Sequence, residues 1–561
     1  MSSVTAQALE DEDSPQLRKA RGAFFTPVLL CDYVVDWAVR SADDRVLEPS
    51  CGDAEFLVAA ARRLSRLGGS AEGALHGVEV HEDSAAQARA RLQRNGNDAK
   101  ILVRDFFDVT PTPTFDAVVG NPPYVRYQDF TGSSRSRSRA AALRAGVALT
   151  GLASSWAAFT VHAAQFLKPG GRMGLVVPAE LLSVNYAAEV RRFLMENFRE
   201  VRLVLFTERV FPGVLEEVVL LLADGHGEGP VAHCELYQTR NAVELPAATG
   251  RRWTPARPHD KWTSSLLSPL AHEAVAFAAE QDGFTTLESW GDTTLGMVTG
   301  NNRYFTMSPA DARERGLAGD ELMRLSPPGS RHLRNLSLSK TAWEALGDEG
   351  AATYLFRPQS EPSRAAKRYI AAGEAVHVEQ AYKCRVRRPW WRVPLVDVPH
   401  MFLTYMNADT PRLCANRAGV RHLNSVHGVY LRPGSIRIGQ DLLPIASLNS
   451  MSMLGAETIG RAYGGGMLKV EPREADSLPM PTASLLQAAR DDLRARRPEL
   501  QRALALRDVN AISQIVDDIL LVRHLGMLPA QVQALRDARL ELHNRRTSRG
   551  AKPTSSTLGS L

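Results

Sequence analysis

Val46-Leu47-Glu48-Pro49-Ser50-Cys51-Gly52-Asp53-Ala54-Glu55-Phe56-Leu57 reads as a strand, a sharp turn and the start of a helix. A short apolar run ends on an acid, and a Pro-Ser-Cys-Gly turn follows. The helix over Glu55–Leu67 then has an apolar face at Phe56, Leu57, Ala60 and Leu64. Such a turn presents backbone N–H groups at a helix N-terminus, where an anionic ligand group binds. It is not a GxGxxG dinucleotide fingerprint, and the chain has no strict Walker A motif. The alternation repeats downstream. Strands are expected at Ala74–Val80, Ile101–Val103, Phe115–Val119, Arg172–Val177, Val201–Phe206 and Glu217–Leu222. Helices are expected between them at Ser84–Leu92, Trp156–Leu167 and Ala187–Glu196. Strands spaced by helices predict an α/β fold with a doubly wound, mainly parallel sheet. The short connection between the last two strands predicts an antiparallel hairpin at the sheet end.

The chain around this sheet has 561 residues, enough for two to four domains. With 44% hydrophobic and 23% charged residues it belongs with globular proteins, not with disordered or fibrous ones. The net charge of +5 is too small to name a partner, although a nucleic-acid binder leans this way. Five widely separated cysteines form no CxxC pair, so neither a disulfide framework nor a zinc cluster is expected, and no metal. The acidic N-terminus lacks a signal-peptide core, and no apolar run approaches the ~20 residues of a membrane span, so a cytoplasmic protein without membrane contact is expected. The expected organisation is a flexible N-terminus (1–20), an α/β domain (21–245), a mixed α+β domain (246–480), a helical C-terminal segment (481–545) and a disordered tail (546–561). Residues 244–262, rich in Pro, Arg and Trp, read as a linker.

The strongest chemical signal is Asn121-Pro122-Pro123-Tyr124, directly after the fourth strand. Two prolines fix φ and remove two N–H donors, so the Asn121 side chain and the Pro122 carbonyl can point at one place. Two converging acceptors suit a planar amine with two hydrogens, and accepting both favours a pyramidal nitrogen with a free lone pair. Tyr124 offers a flat face for a base. Glu79 ends the second strand, where a carboxylate can accept from both hydroxyls of a ribose. Asp105-Phe106 ends the third, with an acceptor for an adenine amino group and a ring to pack against it. Glu48, Glu79 and Asp105 thus sit at successive strand ends, where open α/β sheets bind ligands. The chain has no Pro-Cys, and Cys51 lies in the turn after the first strand. For DNA contact, Arg126 and a mobile basic loop over Ser133–Arg139, with Arg135 and Arg137, lie just after the catalytic turn. Further on, Lys383, Arg385, Arg387 and Arg388 accompany Trp390 and Trp391.

These motifs resemble the gamma-group, TaqI-like DNA adenine methyltransferases that use S-adenosylmethionine, enzymes of type II restriction–modification systems. Gly22-Ala23-Phe24-Phe25-Thr26-Pro27 matches the family's first element, and VLEPSCG, GVEV, DFF and NPPY match the motifs that follow in order. Lys168-Pro169-Gly170-Gly171, Val176-Val177-Pro178 and Phe211-Pro212-Gly213 match later ones. Thr299-Gly300-Asn301-Asn302 and Leu448-Asn449-Ser450 carry the match into the second domain. The resemblance implies that Thr26, Glu48, Ser50, Cys51, Gly52, Glu79, Asp105, Phe106 and Pro123 line the S-adenosylmethionine site. It implies that Asn121, Pro122 and Tyr124 hold the target amine, that Phe211 stacks on an extruded base, and that residues 246–480 recognise the target sequence. One departure is Ala54, where many relatives keep a second glycine; negative φ there would make it harmless. The implied function is methylation of a flipped adenine amine in double-stranded DNA, with a separately encoded restriction endonuclease as a possible partner and a monomer favoured. Cytosine-amine methylation, protein glutamine methylation and a non-catalytic specificity subunit are the competing readings.

Overall fold

The computed structural model describes residues 26–550 apart from 131, 209, 212–216 and 318. Gly22–Phe25, Pro212, Gly213 and the expected flexible N-terminus therefore lie outside the described residues. Two compact units meet in sequence between Ser265 and Leu266.

The first unit is built on a nine-stranded sheet. Its strands are β1 (Val46–Glu48), β2 (Leu75–Glu79), β3 (Lys100–Val103), β4 (Phe115–Gly120), β5 (Leu167–Pro178), β6 (Phe198–Phe206), β7 (Val218–His226), β8 (Cys234–Thr239) and β9 (Gly250–Trp253). They lie in the order β3-β2-β1-β4-β5-β7-β6-β8-β9. The five strands from β3 to β5 pair in parallel. The connecting helices are α1 (Val28–Ala38), α2 (Glu55–Arg66), α3 (Glu82–Arg94), α4 (Gly132–Arg144), α5 (Ser155–Ala164) and α6 (Ala188–Asn197). Leu30, Val34 and Val35 of α1 and Phe56, Leu57 and Leu64 of α2 bury their apolar stripes in one core with Val46, Val119 and Leu220 of the sheet. Strand β7 is buried from Val218 to Gly225, which explains its unbroken apolar run: it lies inside the sheet, covered on both faces.

The expected hairpin forms, since β6 and β7 pair antiparallel. It does not end the sheet. Strand β7 inserts between β5 and β6, β8 adds parallel to β6, and β9 adds antiparallel to β8. Residues 244–262 are accordingly no linker. Trp253 of β9 and Trp262 pack edge to face with ring centroids 6.1 Å apart, and Trp262 donates its backbone N–H to the Leu182 carbonyl at 2.7 Å. Two large apolar rings buried against the sheet hold this stretch in the unit.

The second unit is mixed. A five-stranded sheet has the order Gly291–Leu295, Val426–Leu431, Met401–Thr404, Leu413–Asn416, Ser337–Leu338, antiparallel except at its last pair. A small antiparallel sheet joins Thr306–Met307, Tyr354–Phe356 and Leu322–Arg324. The C-terminal helices do not stand apart: Leu486, Leu493, Leu500, Ile512, Val516 and Leu520 share one core with Trp290, Leu442 and Leu454. The last helix runs over Pro529–Gly550, past residue 546 where a tail was expected to begin, and residues 551–561 lie outside the described residues. The reason is Arg546. It is 3% exposed and grips Glu457 with a two-pronged hydrogen bond of 2.9 and 2.8 Å.

Candidate active site

The ends of β1, β2, β3 and β4 place four acidic or amide side chains on one edge of the parallel sheet, each by the same local device of a strand running into a turn. After β1 the turn carries Gly52 at φ +47° and Ala54 at φ +64°. The negative φ that would make Ala54 harmless is therefore not what it adopts. A left-handed alanine costs about 1–2 kcal/mol, which accounts for glycine being preferred at such a position. A side chain at Gly52 would meet nothing within 4 Å, so this backbone fronts open space. Glu48 is buried and accepts the Leu57 N–H of the first turn of α2 at 3.2 Å. Burial and then the nearby Asp53 push its carboxyl well above the usual carboxylate range. Ser50 donates to the Asn121 carbonyl at 3.4 Å, and the Cys51 N–H donates to the Val78 carbonyl at 2.9 Å. Burial raises the Cys51 thiol far above its ordinary pKa, as suits a packing residue and not a nucleophile.

Glu79 ties the turns together. Its Oε2 accepts the Gly52 N–H at 2.9 Å, and its Oε1 accepts the N–H groups of Val80 and His81 at 2.9 and 3.0 Å. A carboxylate oxygen has about two lone-pair sites. Oε1 has filled both, so in this geometry one further donor fits, at Oε2, where two ribose hydroxyls were expected. Asp105 accepts the Phe107 N–H at 3.0 Å and the Arg137 guanidinium at 2.7 Å.

At the end of β4 the Asn-Pro-Pro-Tyr turn is anchored from three sides. Tyr124 donates its hydroxyl toward Asn121 Oδ1 at 2.6 Å, with the Val176 carbonyl of β5 at 3.0 Å. Asn121 Nδ2 donates to Thr26 Oγ1 at 3.1 Å. Ser155, the first residue of α5, donates to the Pro123 carbonyl and accepts the Val125 N–H at 2.9 Å. Thr26 and Tyr124 together orient the Asn121 amide, oxygen on one side and NH2 on the other. Thr26, expected on the cofactor side, here touches the Asn121 amide. Among the described residues no hydrogen bond reaches the Pro122 carbonyl, which leaves it as an acceptor beside Asn121.

Several expected roles change. Phe106 is 2% exposed and stacks on Phe159 and Phe166 at 5.4 and 5.2 Å, with His162 edge-on at 4.7 Å, so its ring belongs to the core. Phe211 is also buried, in the cluster holding Phe206 and Val218, and shows no open face for a base. The basic segment after the turn is helix α4, not a loop. Arg137 on it pairs with Asp105 and, at 3.2 Å, with Asp108. Arg135 is half-buried on the same helix, and Arg126 is exposed.

In the second unit, Arg387 donates to the carbonyls of Thr299, at 2.7 Å, and Val298. It clamps the Thr-Gly-Asn-Asn loop and is not free for phosphate. Trp390 packs on Tyr304 and Phe305 and donates to Glu374 at 3.0 Å. Lys383, Arg385 and Arg388 remain exposed beside the exposed Tyr382 and Val386. Ser155 is the one anchoring residue without a sequence signal; its role exists only through the packing of α5 against the turn. Asn449 of the Leu-Asn-Ser motif caps the helix Ser450–Ile459, and Ser450 binds the buried Asp517.

Residues 11–241 match a family described as N-6 DNA methylase. That span is similar to the N-6 DNA methylases. The methylase continues, over residues 259–521, with a match to the C-terminal domain of the type II methyltransferase M.Eco57I. It is 25% identical over 486 residues to the type II methyltransferase M.XamI of Xanthomonas campestris pv. amaranthicola, covering 83% of this chain and 86% of that one. It is 21% identical over 484 residues to the type II methyltransferase M.AccI of Acinetobacter calcoaceticus, covering 85% and 88%. The solved structure of the type IIL restriction–modification enzyme MmeI in complex with DNA superposes with a TM-score of 0.57 at 10% identity, over 91% of this methylase and 75% of that chain. Over that span the fold is shared. Among the described residues no helix is long and apolar enough to cross a membrane.

Proposed function

We propose that this methylase moves the methyl group of S-adenosylmethionine to the N6 amine of one adenine in a specific duplex sequence, as the modification half of a restriction–modification pair. The observation that carries this reading is the oriented Asn121 amide at the end of β4, beside the Pro122 carbonyl and the Tyr124 ring. An exocyclic amine stacked in a duplex cannot reach such a turn, so the target nucleotide leaves the helix first, at a cost of a few kcal/mol. The face of Tyr124 offsets part of that cost by stacking. Its hydroxyl is held by Asn121 and Val176, which fixes the plane of the ring.

Asn121 Oδ1 and the Pro122 carbonyl then accept the two amine hydrogens. Drawing both hydrogens to one side leaves the nitrogen lone pair free on the other. Thr26 keeps the Asn121 NH2 end away from the amine, where it would oppose the incoming donors. The residues present fit the cofactor: an open glycine turn at Gly52, an acceptor site on Glu79 for a ribose hydroxyl, and Asp105 for an adenine amino group. When bound, S-adenosylmethionine supplies a methyl group activated by its own sulfonium charge, so the chain's part is placement and desolvation. The exposed cations Lys383, Arg385 and Arg388 supply phosphate contacts, and the second unit supplies base discrimination. The order of the motifs, cofactor elements first, supports the gamma-group arrangement, and a separate polypeptide supplies any restriction activity.

The test is single-molecule sequencing of genomic DNA from cells expressing the full chain. N6-methyladenine at one short recurring sequence is expected, and none in cells expressing Asn121→Ala. Unmodified adenine in both would overturn the reading.

A further inference from the structure

Between the helix Val509–Asp517 and the last helix lies a cavity of about 160 Å3 that opens to solvent. Arg536, Asp537 and Leu540 line it from one helix face, and Asn510 and Gln514 from the other; Arg539 and the buried Ser450 close its inner end. The volume is below the ~300–1,000 Å3 of sites for drug-sized ligands. It suits a small group of atoms.

The lining is unusual in its donors. Arg539 is 6% exposed, yet its Nε is buried with no hydrogen-bond partner among the described residues. Arg536 spends its Nε on Asp517 at 2.8 Å, but its buried Nη2 has no hydrogen-bond partner among the described residues, and its ion pair with the exposed Asp518 is stretched to 4.0 Å. Two guanidinium groups with unspent N–H donors in one cavity are costly unless an acceptor enters. Glu457 and Asp409 act on Arg539 through their charge, but neither accepts from its Nε, and the acids beside the cavity do not meet the need either. Asp517 is occupied by the Ser450 N–H and hydroxyl, both at 2.7 Å, and by Arg536. Asp537 is exposed at the rim and accepts from Gln533 at 2.8 Å. Guanidinium forks match the geometry of phosphate oxygens.

We infer that this cavity is an oxyanion site that takes one phosphate group, held by Arg536 and Arg539. That group has two sources, a free phosphate ion or a phosphate of the DNA backbone. The inference does not depend on the reaction assigned to the first unit.

Calorimetric titration of the full chain with inorganic phosphate, at ionic strength fixed with chloride, tests it. Saturable binding is expected, weakened at least tenfold in Arg539→Gln. Because Arg539 is buried, a second variant is needed that leaves the fold intact. Gln514 is exposed, and Gln514→Glu, with a thermal transition like that of the wild type, should also weaken phosphate at least tenfold by placing a carboxylate at the mouth. A duplex titration with and without saturating phosphate then separates the sources. Loss of duplex affinity in wild type but not in Gln514→Glu identifies a backbone phosphate, and equal loss or none in both identifies the free ion. Absence of saturable phosphate binding to the wild type, or unchanged binding in both variants, overturns the proposal.

Discussion

Replacing Glu79 by Gln changes one atom in a carboxylate that serves three backbone donors, and the structure allows the effect to be sized. Oε2 holds the Gly52 N–H at 2.9 Å while Oε1 holds Val80 and His81 at 2.9 and 3.0 Å. An amide has one acceptor end. Turned to keep Val80 and His81, it faces its NH2 to the Gly52 N–H, and that bond becomes a contact between two donors. The same rotation removes the acceptor site left on Oε2 for a ribose hydroxyl. One hydrogen bond to a charged group is worth about 1.5–3 kcal/mol, so affinity for S-adenosylmethionine should fall roughly 10- to 150-fold. The assay is calorimetric titration of cofactor and of its demethylated product. Turnover at saturating cofactor should stay within about threefold of wild type, because Asn121 and Tyr124 are untouched. Affinity within twofold of wild type, or lost turnover at unchanged affinity, would refute the assignment of Glu79 to the cofactor.

Four further outcomes follow from the structure. Ala54→Gly relieves a left-handed alanine at φ +64°; set against the greater unfolded-state freedom of glycine, chemical denaturation should show a net gain of about 0.5–1 kcal/mol. Arg388→Ala should lower the slope of log affinity for DNA against log salt by about 1. Arg387→Ala should instead lower the stability of the second unit, since that side chain clamps the Val298 and Thr299 carbonyls. The last outcome concerns acid. Burial alone would raise the Glu457 carboxyl, but hydrogen bonds and charge from Arg546 and His543 reverse this and hold it below the ordinary carboxylate value. A depressed folded pKa contributes stability that is present above the unfolded value of about 4.3 and lost as pH falls through the folded one. Denaturation free energy should therefore drop below about pH 4.5, with a shallower drop in Glu457→Gln.

What was legible in the sequence was local. The run Val46–Leu57 announces its strand, turn and helix because each depends on neighbours a few residues away. Glu48, Glu79 and Asp105 fall at strand ends by simple counting, and the two prolines after Asn121 stiffen their turn whatever surrounds it. Misread residues owe their roles to partners far along the chain. Arg137 looks like a phosphate contact until Asp105, 32 residues earlier, takes it, and Arg387 until Thr299, 88 residues earlier, does. Phe106 looks available to an adenine ring, but Phe159, His162 and Phe166 enclose it from helix α5 and the turn before β5. Trp253 and Trp262 sit in a Pro- and Arg-rich stretch that reads as linker, and only burial of their rings against the sheet reverses that. The turn that holds Ala54 at φ +64° also delivers the Gly52 N–H to Glu79 on the next strand, a tie that local sequence does not announce.

The central claim is that the turn at Asn121 delivers a methyl group to an adenine amine in DNA. Its most direct test uses purified full chain, S-adenosylmethionine with an isotopically labelled methyl group, and duplex DNA containing many sequences. The DNA is then digested to nucleosides and analysed by mass spectrometry. The account predicts label in N6-methyladenine alone, and none with Asn121→Ala, although that variant still binds the cofactor. Label in N4-methylcytosine, label in protein instead of DNA, or undiminished N6-methyladenine from Asn121→Ala would contradict it.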